Sequence, residues 1–346
     1  MRFKRKRLFI LLFSFTFIFS GCSIWQPLEN SKKQNEAMEP TSIIAPDVKV
    51  NEEYYRGVLP YKPSPIGGML KELPRRLDSN KFELGLIEMA KNEYDPSEFV
   101  FQEGQVLTMN EIEPILDQYQ DFLYSVVEHD YLHEDGTYGG VVVGLFVSSV
   151  YQEGETRKSY TDDQIRERSK EIANKILSMV RKKVTDPSIL FGIVKAEEID
   201  MKLPGTFILK GEVKEKENSI DDWTNIEESY LFLPAKGSSY NGSEGDISLG
   251  FNQLKDQLNE YLPGFAGLTG LARFVNGNLI ELTINVNTEF DSTVEVIQFT
   301  QFAIALISKY FPTDSQINLY VQTIDQPKAI YIRQANGDDF VHIYRD

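Results

Sequence analysis

The single cysteine of the chain, Cys22, follows the small residues Ser20 and Gly21. A thiol at the first position of a mature chain can accept a diacylglyceryl lipid, and small residues before it let a signal peptidase approach the backbone. We therefore predict cleavage between Gly21 and Cys22 and a lipid on Cys22, with no other cofactor. Because the chain has no second cysteine, the folded part must be stable without an internal disulfide.

The residues before Cys22 have the layout of a secretory signal. Five of the first seven residues are basic, and an apolar run from Leu8 to Phe19 follows them. A membrane-spanning helix is the alternative, but a run of this length extends only about 18 Å as a helix, whereas a bilayer core is about 30 Å thick. The sequence therefore predicts a signal peptide over residues 1–21. It predicts a mature protein anchored by lipid to the extracytoplasmic face of the cell membrane.

His129, Asp130 and His133 form the pattern closest to a metal site. Two histidines at this spacing share one face of a helix in zinc proteases with an H-E-x-x-H motif, and Asp130 stands where that motif has its general base. The turn residues Glu-Asp-Gly at 134–136 instead favour a strand and hairpin. Histidines so spaced on a strand lie about 13 Å apart and cannot share a metal. Since the only other histidine is His342, we expect solvent-exposed hairpin histidines and no metal site.

Other polar patterns are more typical of turns than of catalysis. Gly264, Gly267 and Gly270 fit neither a phosphate loop nor a dinucleotide fingerprint, so we expect a tight turn. Acidic pairs stand at predicted element ends, where they act as caps: Asp162-Asp163, Glu197-Glu198 and Asp338-Asp339. The chain has neither a G-x-S-x-G elbow nor a spare thiol. We therefore predict no catalytic residue; the alternative is a cell-wall-zone hydrolase whose paired carboxylates meet between two halves of the fold.

Residues 54–69 combine tyrosines with prolines and glycines that prevent a long helix. We expect an ordered, extended segment lying on the folded domain. Its stiffness would reduce the ordering cost of binding, so we predict that Tyr55, Arg56 and Tyr61 flank a binding groove. The alternative is that the tyrosines only fix the N-terminus to the domain. A cell-wall component or a peptide is the expected class of ligand.

The charge of the chain excludes one class of partner. None of the 52 acidic residues and five of the 36 basic residues lie in the signal peptide, which leaves the mature chain with a formal charge of −21. Phosphate backbones would be repelled by such a body, so nucleic acid is not an expected partner. The membrane is expected to hold the protein through the lipid alone, because an anionic surface also repels it.

Periodicity predicts an α+β chain of two tandem related repeats, each a small sheet with packed helices. A disordered tether (22–53) and the extended segment (54–80) precede repeats over residues 81–215 and 222–346. Both repeats have the order strand, helix, strand, long helix, strand, strand. In the first repeat these are residues 98–106, 110–127, 140–151, 162–183, 189–196 and 206–213. In the second they are residues 229–235, 251–262, 279–289, 292–311, 317–324 and 329–334.

Several long stretches resemble the CamS family of Gram-positive lipoproteins, the sex-pheromone precursors. They are the lipidation motif at Cys22, YYRGVLPYKPSP at 54–65, VVVGLFVSSVYQ at 141–152, EVIQFTQFAIALISKYFPTD at 295–314 and FVHIYRD at 340–346. The resemblance covers nearly the whole mature chain. It implies two related repeats in the folded part.

The resemblance also implies a role for the signal peptide. In that family, a short hydrophobic peptide that ends just before the lipid cysteine is released and can induce plasmid conjugation. The matching segment is Phe15, Thr16, Phe17, Ile18, Phe19, Ser20 and Gly21. It is aromatic and ends in glycine, whereas the active peptide of the family is aliphatic and rich in alanine.

Overall fold

A computed structural model describes residues 43–44, 55, 57–72, 78–196, 203–235, 241–262, 267–290, 292–335 and 339–345. The chain divides into two units at Pro40, and every described element lies in the second unit. Gly21, Cys22, the segment 15–21 and Arg56 lie outside the described residues. None of the described helices is both long and apolar enough to cross a membrane.

The described elements alternate strands and helices along the chain. In the first part these are β1 (Ile43–Ile44), β2 (Gly57–Val58), a 3₁₀ helix (Gly67–Glu72), α1 (Ser79–Lys91), β3 (Val100–Glu103), α2 (Met109–Gln118), β4 (Leu123–Leu132), β5 (Tyr138–Val147), β6 (Val150–Glu153), β7 (Thr156–Ser159), α3 (Asp162–Val180), β8 (Ser188–Lys195), β9 (Thr206–Val213) and β10 (Asp222–Asn225). In the second part they are β11 (Glu228–Leu233), α4 (Gly242–Tyr261), β12 (Gly267–Val275), β13 (Asn278–Asn287), α5 (Thr293–Tyr310), β14 (Gln316–Gln322), β15 (Pro327–Arg333) and β16 (Asp339–Ile343).

The first sheet carries helices on both faces. Its strand order is β1-β2-β3-β4-β5-β8-β9-β10. The central strands β5 and β8 run parallel and are joined through α3, and each has an antiparallel neighbour on its outer side. The almost continuous apolar run of β5 is what a strand covered on both faces requires. Phe82 and Leu86 of α1 pack on one face, while Ile112 of α2 and Ile172 of α3 pack on the other.

The second sheet repeats the topology of the first. Its order is β11-β12-β13-β14-β15-β16, with a parallel pair β13–β14 joined through α5 and antiparallel pairs elsewhere. Strands β11 to β16 thus correspond to β3, β4, β5, β8, β9 and β10, and α4 and α5 correspond to α2 and α3. The predicted α+β class with two related repeats is confirmed. The predicted capping box of α5 is also present, since Ser292 and Glu295 exchange hydrogen bonds.

Some predicted elements differ from the observed ones. The helix predicted over 110–127 ends at Gln118. Residues 123–127, LYSVV, include one aromatic and two β-branched residues and form the start of β4 against β5. The strand predicted over 140–151 is divided between β5 and β6, and β6 forms a hairpin with β7. Strand β10 pairs with β9, so the first sheet extends beyond residue 215.

The glycines at 267 and 270 do not form the predicted turn; both lie in β12. A methyl group at Gly270 would lie 2.7 Å from the ring of Phe251 on α4. Glycine is therefore needed there because the helix packs closely on the strand. Gly264 lies outside the described residues.

Helix α1, which has no counterpart among the described residues of the second repeat, contacts both sheets. Asp78 caps its first turn by accepting a hydrogen bond from the Lys81 N–H. Its polar face reaches the second sheet, where Lys81 Nζ lies 2.8 Å from a carboxylate oxygen of Glu281 and Glu88 lies 2.7 Å from Arg273. Arg273 also contacts the buried carboxylate of Glu228 at 2.6 Å. We call these ion pairs the α1 clasp.

Candidate functional site

Strand β4 places ionisable side chains on both of its faces. Successive residues of a strand point to opposite sides, so Glu128 and Asp130 face α2 while His129 and Tyr131 face α1. All four are buried. The prediction of two solvent-exposed histidines is therefore wrong for His129, because β4 is already covered there, and right for His133, which is exposed at the hairpin end. Within the described residues, no group of three potential ligands could hold a metal ion.

Glu128 anchors the loop that follows β3. Its two carboxylate oxygens accept hydrogen bonds from the N–H groups of Val106 and Leu107, each at 2.7 Å. Burial raises the pKa of Glu128, and the two N–H bonds act against that rise because they stabilise the charged form. The backbone of Gly104 passes so close that a methyl group there would lie 2.3 Å from Glu128 Cγ. The loop can adopt this path only with glycine at 104.

Asp130 holds the same loop and lies two residues from Glu128 on the same face of β4. One Asp130 oxygen accepts a hydrogen bond from the Gln105 N–H at 2.8 Å. Burial raises the pKa of Asp130, and the neighbouring charge of Glu128 raises it further. Because Glu128 receives two short N–H bonds, we assign the negative charge to Glu128 and the proton to Asp130. The pair lies within one repeat, not between the two repeats.

A cavity opens at the edge of β4, beyond the point where β3 ends. Its volume is about 180 Å³. Residues 61–68 and the start of the 3₁₀ helix form one wall, and β4, α1 and the end of β3 form the others. The lining residues are Tyr61, Pro63, Ser64, Ile66, Gly67, Gly68, Glu83, Glu103, Val126, Val127, Glu128 and His129. We call this cavity the Tyr61 pocket.

The Tyr61 pocket is acidic. Glu83, Glu103 and Glu128 contribute carboxylates, and none of the described lining residues is lysine or arginine. Glu103 is fixed by a hydrogen bond from the Ser64 N–H at 2.9 Å. Glu83 Oε1 lies 3.9 Å from Nε2 of His129, and Nδ1 of His129 is buried with no hydrogen-bond partner among the described residues. The pocket therefore offers acceptors to a cationic donor.

The two described tyrosines of the predicted groove have different environments. Tyr55 is half-buried, stacks on Phe101 and donates a hydrogen bond to the carbonyl of Tyr94 at 2.7 Å. It fixes the N-terminal segment to the domain, as the alternative interpretation proposed. Tyr61 is 79% exposed and lines the pocket. Tyr55 is not among the described residues that line the Tyr61 pocket, and Arg56 lies outside the described residues.

Sequence reasoning did not single out the acidic residues of the pocket. Glu128 and Asp130 interrupt the otherwise apolar run VVEHDYL. Charged side chains inside a strand with the length and composition of a buried one indicate paired or hydrogen-bonded carboxylates. Glu83 carries no such signal, because it belongs to α1, which was not predicted.

The geometry of the pocket does not identify a protein family, but the sequence matches a family model. The model of the CamS sex pheromone cAM373 precursor matches residues 61–122 and 119–339. The chain belongs to this family. The match includes the Tyr61 pocket, β4 and all elements of the second sheet up to the start of β16. No match was found among curated protein sequences.

Solved structures of family members share this fold. A sex pheromone precursor from Lactobacillus salivarius subsp. salivarius UCC118 has 19% sequence identity and a TM-score of 0.76, with 86% of this chain and 98% of that chain covered. The C-terminal domain of the sex pheromone staph-cAM373 precursor from Staphylococcus aureus has 22% identity and a TM-score of 0.65, with 77% of this chain and 96% of that chain covered. At 19% and 22% sequence identity, the similarity to these structures shows a shared fold.

Proposed function

We propose that the mature protein is a membrane-anchored, extracytoplasmic binding module without enzymatic activity, and that the Tyr61 pocket binds an amine. The acidic lining of the pocket is the observation that carries this proposal. A protonated amine would complete the hydrogen bonds of Glu83 and Glu103, and charge-assisted bonds of this kind are the strong ones. The exposed ring of Tyr61 can cover the bound group through a cation–π contact. An amino group on a peptide or a cell-wall component fits this chemistry.

The carboxylate pair argues against the alternative, a hydrolase. Glycosidases keep their two carboxyl groups about 5–9.5 Å apart so that sugar and water fit between them. Glu128 and Asp130 instead lie on one face of a single buried strand and accept hydrogen bonds from the backbone of loop 104–107. Both carboxyl groups are buried and position the loop, which is a structural role.

Binding can be tested with simple amine probes. We expect glycylglycine amide and glucosamine to shift the NMR signals of His129 and of residues 61–68 in the detergent-solubilised full chain. Their N-acetylated forms should have no effect, because they lack the positive charge. The substitution Glu83→Gln should weaken binding roughly tenfold. The matched control Glu113→Gln removes the same charge from an exposed position on α2 and should leave affinity unchanged. Equal effects of the two substitutions, or equal binding of acetylated probes, would contradict the proposal.

We also propose that the signal peptide yields a short peptide, residues 15–21, after cleavage before Cys22. Membership of the family supports this origin, and the segment is uncharged and apolar enough to cross membranes. An apolar receptor pocket discriminates by about 1–3 kcal/mol for each misplaced methylene. Because the segment is aromatic, we expect synthetic FTFIFSG to be weak in a conjugation assay with the usual responder strain. A strong response at low concentration would contradict this expectation.

A further inference from the structure

Strand β16 is the exposed edge of the second sheet. Among the described strands, it pairs only with β15. Phe340 is 44% exposed and Val341 is 53% exposed, and they point to opposite faces of the sheet. An edge strand with apolar side chains and unpaired backbone groups is a template for a further strand. The equivalent edge of the first sheet, β10, has one apolar side chain, Trp223, whereas β16 has three, so the apolar edge distinguishes β16.

The hydrogen bonds between β16 and β15 determine which residues of β16 have backbone groups available for an added strand. The Tyr344 N–H donates to the Lys328 carbonyl at 3.0 Å, so even-numbered residues from 340 to 344 form the hydrogen-bonded pairs with β15. Hydrogen-bonded and non-hydrogen-bonded pairs alternate along an antiparallel ladder. The N–H and C=O groups of Asp339, Val341, Ile343 and Arg345 therefore point to the free edge.

The sequence of β16 and its next two residues is self-complementary. Antiparallel pairing of DFVHIYR with itself, centred on His342, places Asp339 opposite Arg345, Phe340 opposite Tyr344 and Val341 opposite Ile343. Opposite charges, aromatic pairs and β-branched pairs are the stabilising cross-strand combinations. A register centred on Val341 would instead set Asp339 against Ile343, and one centred on Ile343 would set Val341 against Arg345. Only the His342 register matches every pair and uses the free backbone groups.

We propose that β16 pairs with β16 of a second copy of this chain, which joins two six-stranded sheets into one. The contact has the same patch on both copies, as a two-fold interface requires. On the helix side of β16, a groove of about 640 Å³ is lined by Thr293, Ile297, Val341 and Ile343 among others. Val294, on the same helix α5, is 61% exposed. The paired strand and its helix cover these apolar side chains.

The register can be tested by cysteine cross-linking in membranes that contain the full chain. In the proposed register, His342 faces His342 of the second copy as a non-hydrogen-bonded pair, with Cα atoms about 4.5 Å apart. This separation permits a disulfide, so His342→Cys should give a dimer on a non-reducing gel. The neighbouring substitution Val341→Cys is the matched control and should not, because that residue faces Ile343. The parent chain, with Cys22 as its only cysteine, gives the background. No cross-link at 342, or equal cross-linking at 341, would overturn the proposal.

The charge pair gives an independent test in the detergent-solubilised full chain. Arg345→Asp would place two carboxylates opposite each other at both ends of the paired strands, so the dissociation constant should rise at least tenfold by sedimentation equilibrium. Exchanging both charges, Asp339→Arg with Arg345→Asp, should restore part of the affinity. Arg157→Asp changes an exposed arginine on β7 and should have no effect. An unchanged dissociation constant for Arg345→Asp, or a parent chain that stays monomeric at all concentrations, would refute the interface.

Discussion

At the scale of single residues, the loop after β3 depends on a close approach between Gly104 and Glu128. We expect Gly104→Ala to lower the free energy of unfolding by about 1–3 kcal/mol, the usual cost of forcing extra atoms into a packed site. The matched control is Gly68→Ala in the pocket wall, where a methyl group meets nothing within 4 Å. That change should stay within about 0.5 kcal/mol of the parent. Urea unfolding measures the free energy of unfolding of both variants. Equal losses would show that the close approach of Gly104 to Glu128 does not limit stability.

The raised pKa of Asp130 predicts a pH dependence of stability. Because its pKa is raised in the folded chain, the native state keeps a proton that the unfolded chain releases above about pH 4. The stabilisation that this proton provides is complete below that pH. As the pH rises, the free energy of unfolding falls by at most about 1.4 kcal/mol per pH unit. Asp130→Asn, which stays neutral, should reduce the decline in unfolding free energy between pH 5 and pH 8.

A control substitution separates this effect from a general loss of charge. Asp135 is fully exposed, and its hydrogen bonds with Thr137 lower its pKa. Asp135→Asn should therefore leave the decline between pH 5 and pH 8 as it is in the parent chain. If Asp130→Asn gives the same pH profile as Asp135→Asn, Asp130 does not hold the proton.

The residue types of the site were visible in the sequence, but their burial was not. The turn at 134–136 correctly predicted that His133 ends a hairpin strand. The environment of His129 depends on α1, which lies about 40 residues earlier in the chain and whose period of Phe82, Leu86 and Ala90 was overlooked. Tyr61 could be chosen from its Pro-rich context, whereas its acidic neighbours come from three other elements.

At the scale of elements, the α1 clasp depends on a buried arginine. Although burial alone would lower the pKa of Arg273, Glu88 and Glu228 raise it. Arg273→Met leaves the buried Glu228 carboxylate without its cation, so we expect a loss of about 3–5 kcal/mol in the free energy of unfolding. The exposed pair Lys158–Glu153 is the comparison: Lys158→Met should cost less than about 1 kcal/mol. Thermal unfolding of both variants measures these losses. A loss of unfolding free energy for Arg273→Met as small as that for Lys158→Met would contradict the importance of Arg273 as the partner of Glu228.

Elements with a clear period were predicted well, and glycine-rich ones were not. Helices α3 and α5 begin at capping boxes and carry apolar residues at helical spacing, so their limits were predicted to within a few residues. Strand β12 contains two glycines, which in the sequence alone favour a turn. Its strand conformation results from pairing with β11 and β13 and from close packing of Phe251, which are contacts outside the local sequence.

At the scale of the whole molecule, the proposed lipid anchor would hold the folded unit at the extracytoplasmic face of the cell membrane. We expect Cys22→Ser to abolish incorporation of labelled fatty acid and cleavage before residue 22, because a hydroxyl cannot form the thioether. The unchanged folded unit serves as an internal control, since its thermal stability should equal that of the parent chain. Normal lipid labelling of the serine variant would exclude Cys22 as the attachment site.

The α1 clasp also has a consequence for the time course of folding. Lys81 and Glu281 are 200 residues apart in the chain, so their ion pair is a long-range contact between two sheets that each have their own core. We expect the apolar face of α1 to pack on the first sheet before its charged face meets the second sheet, because Phe82 and Leu86 belong to the core of the first sheet. Contacts that form after the folding barrier slow unfolding and leave the folding rate nearly unchanged. We therefore expect the ion pairs of the α1 clasp to lower the unfolding rate, so that the two sheets separate more slowly.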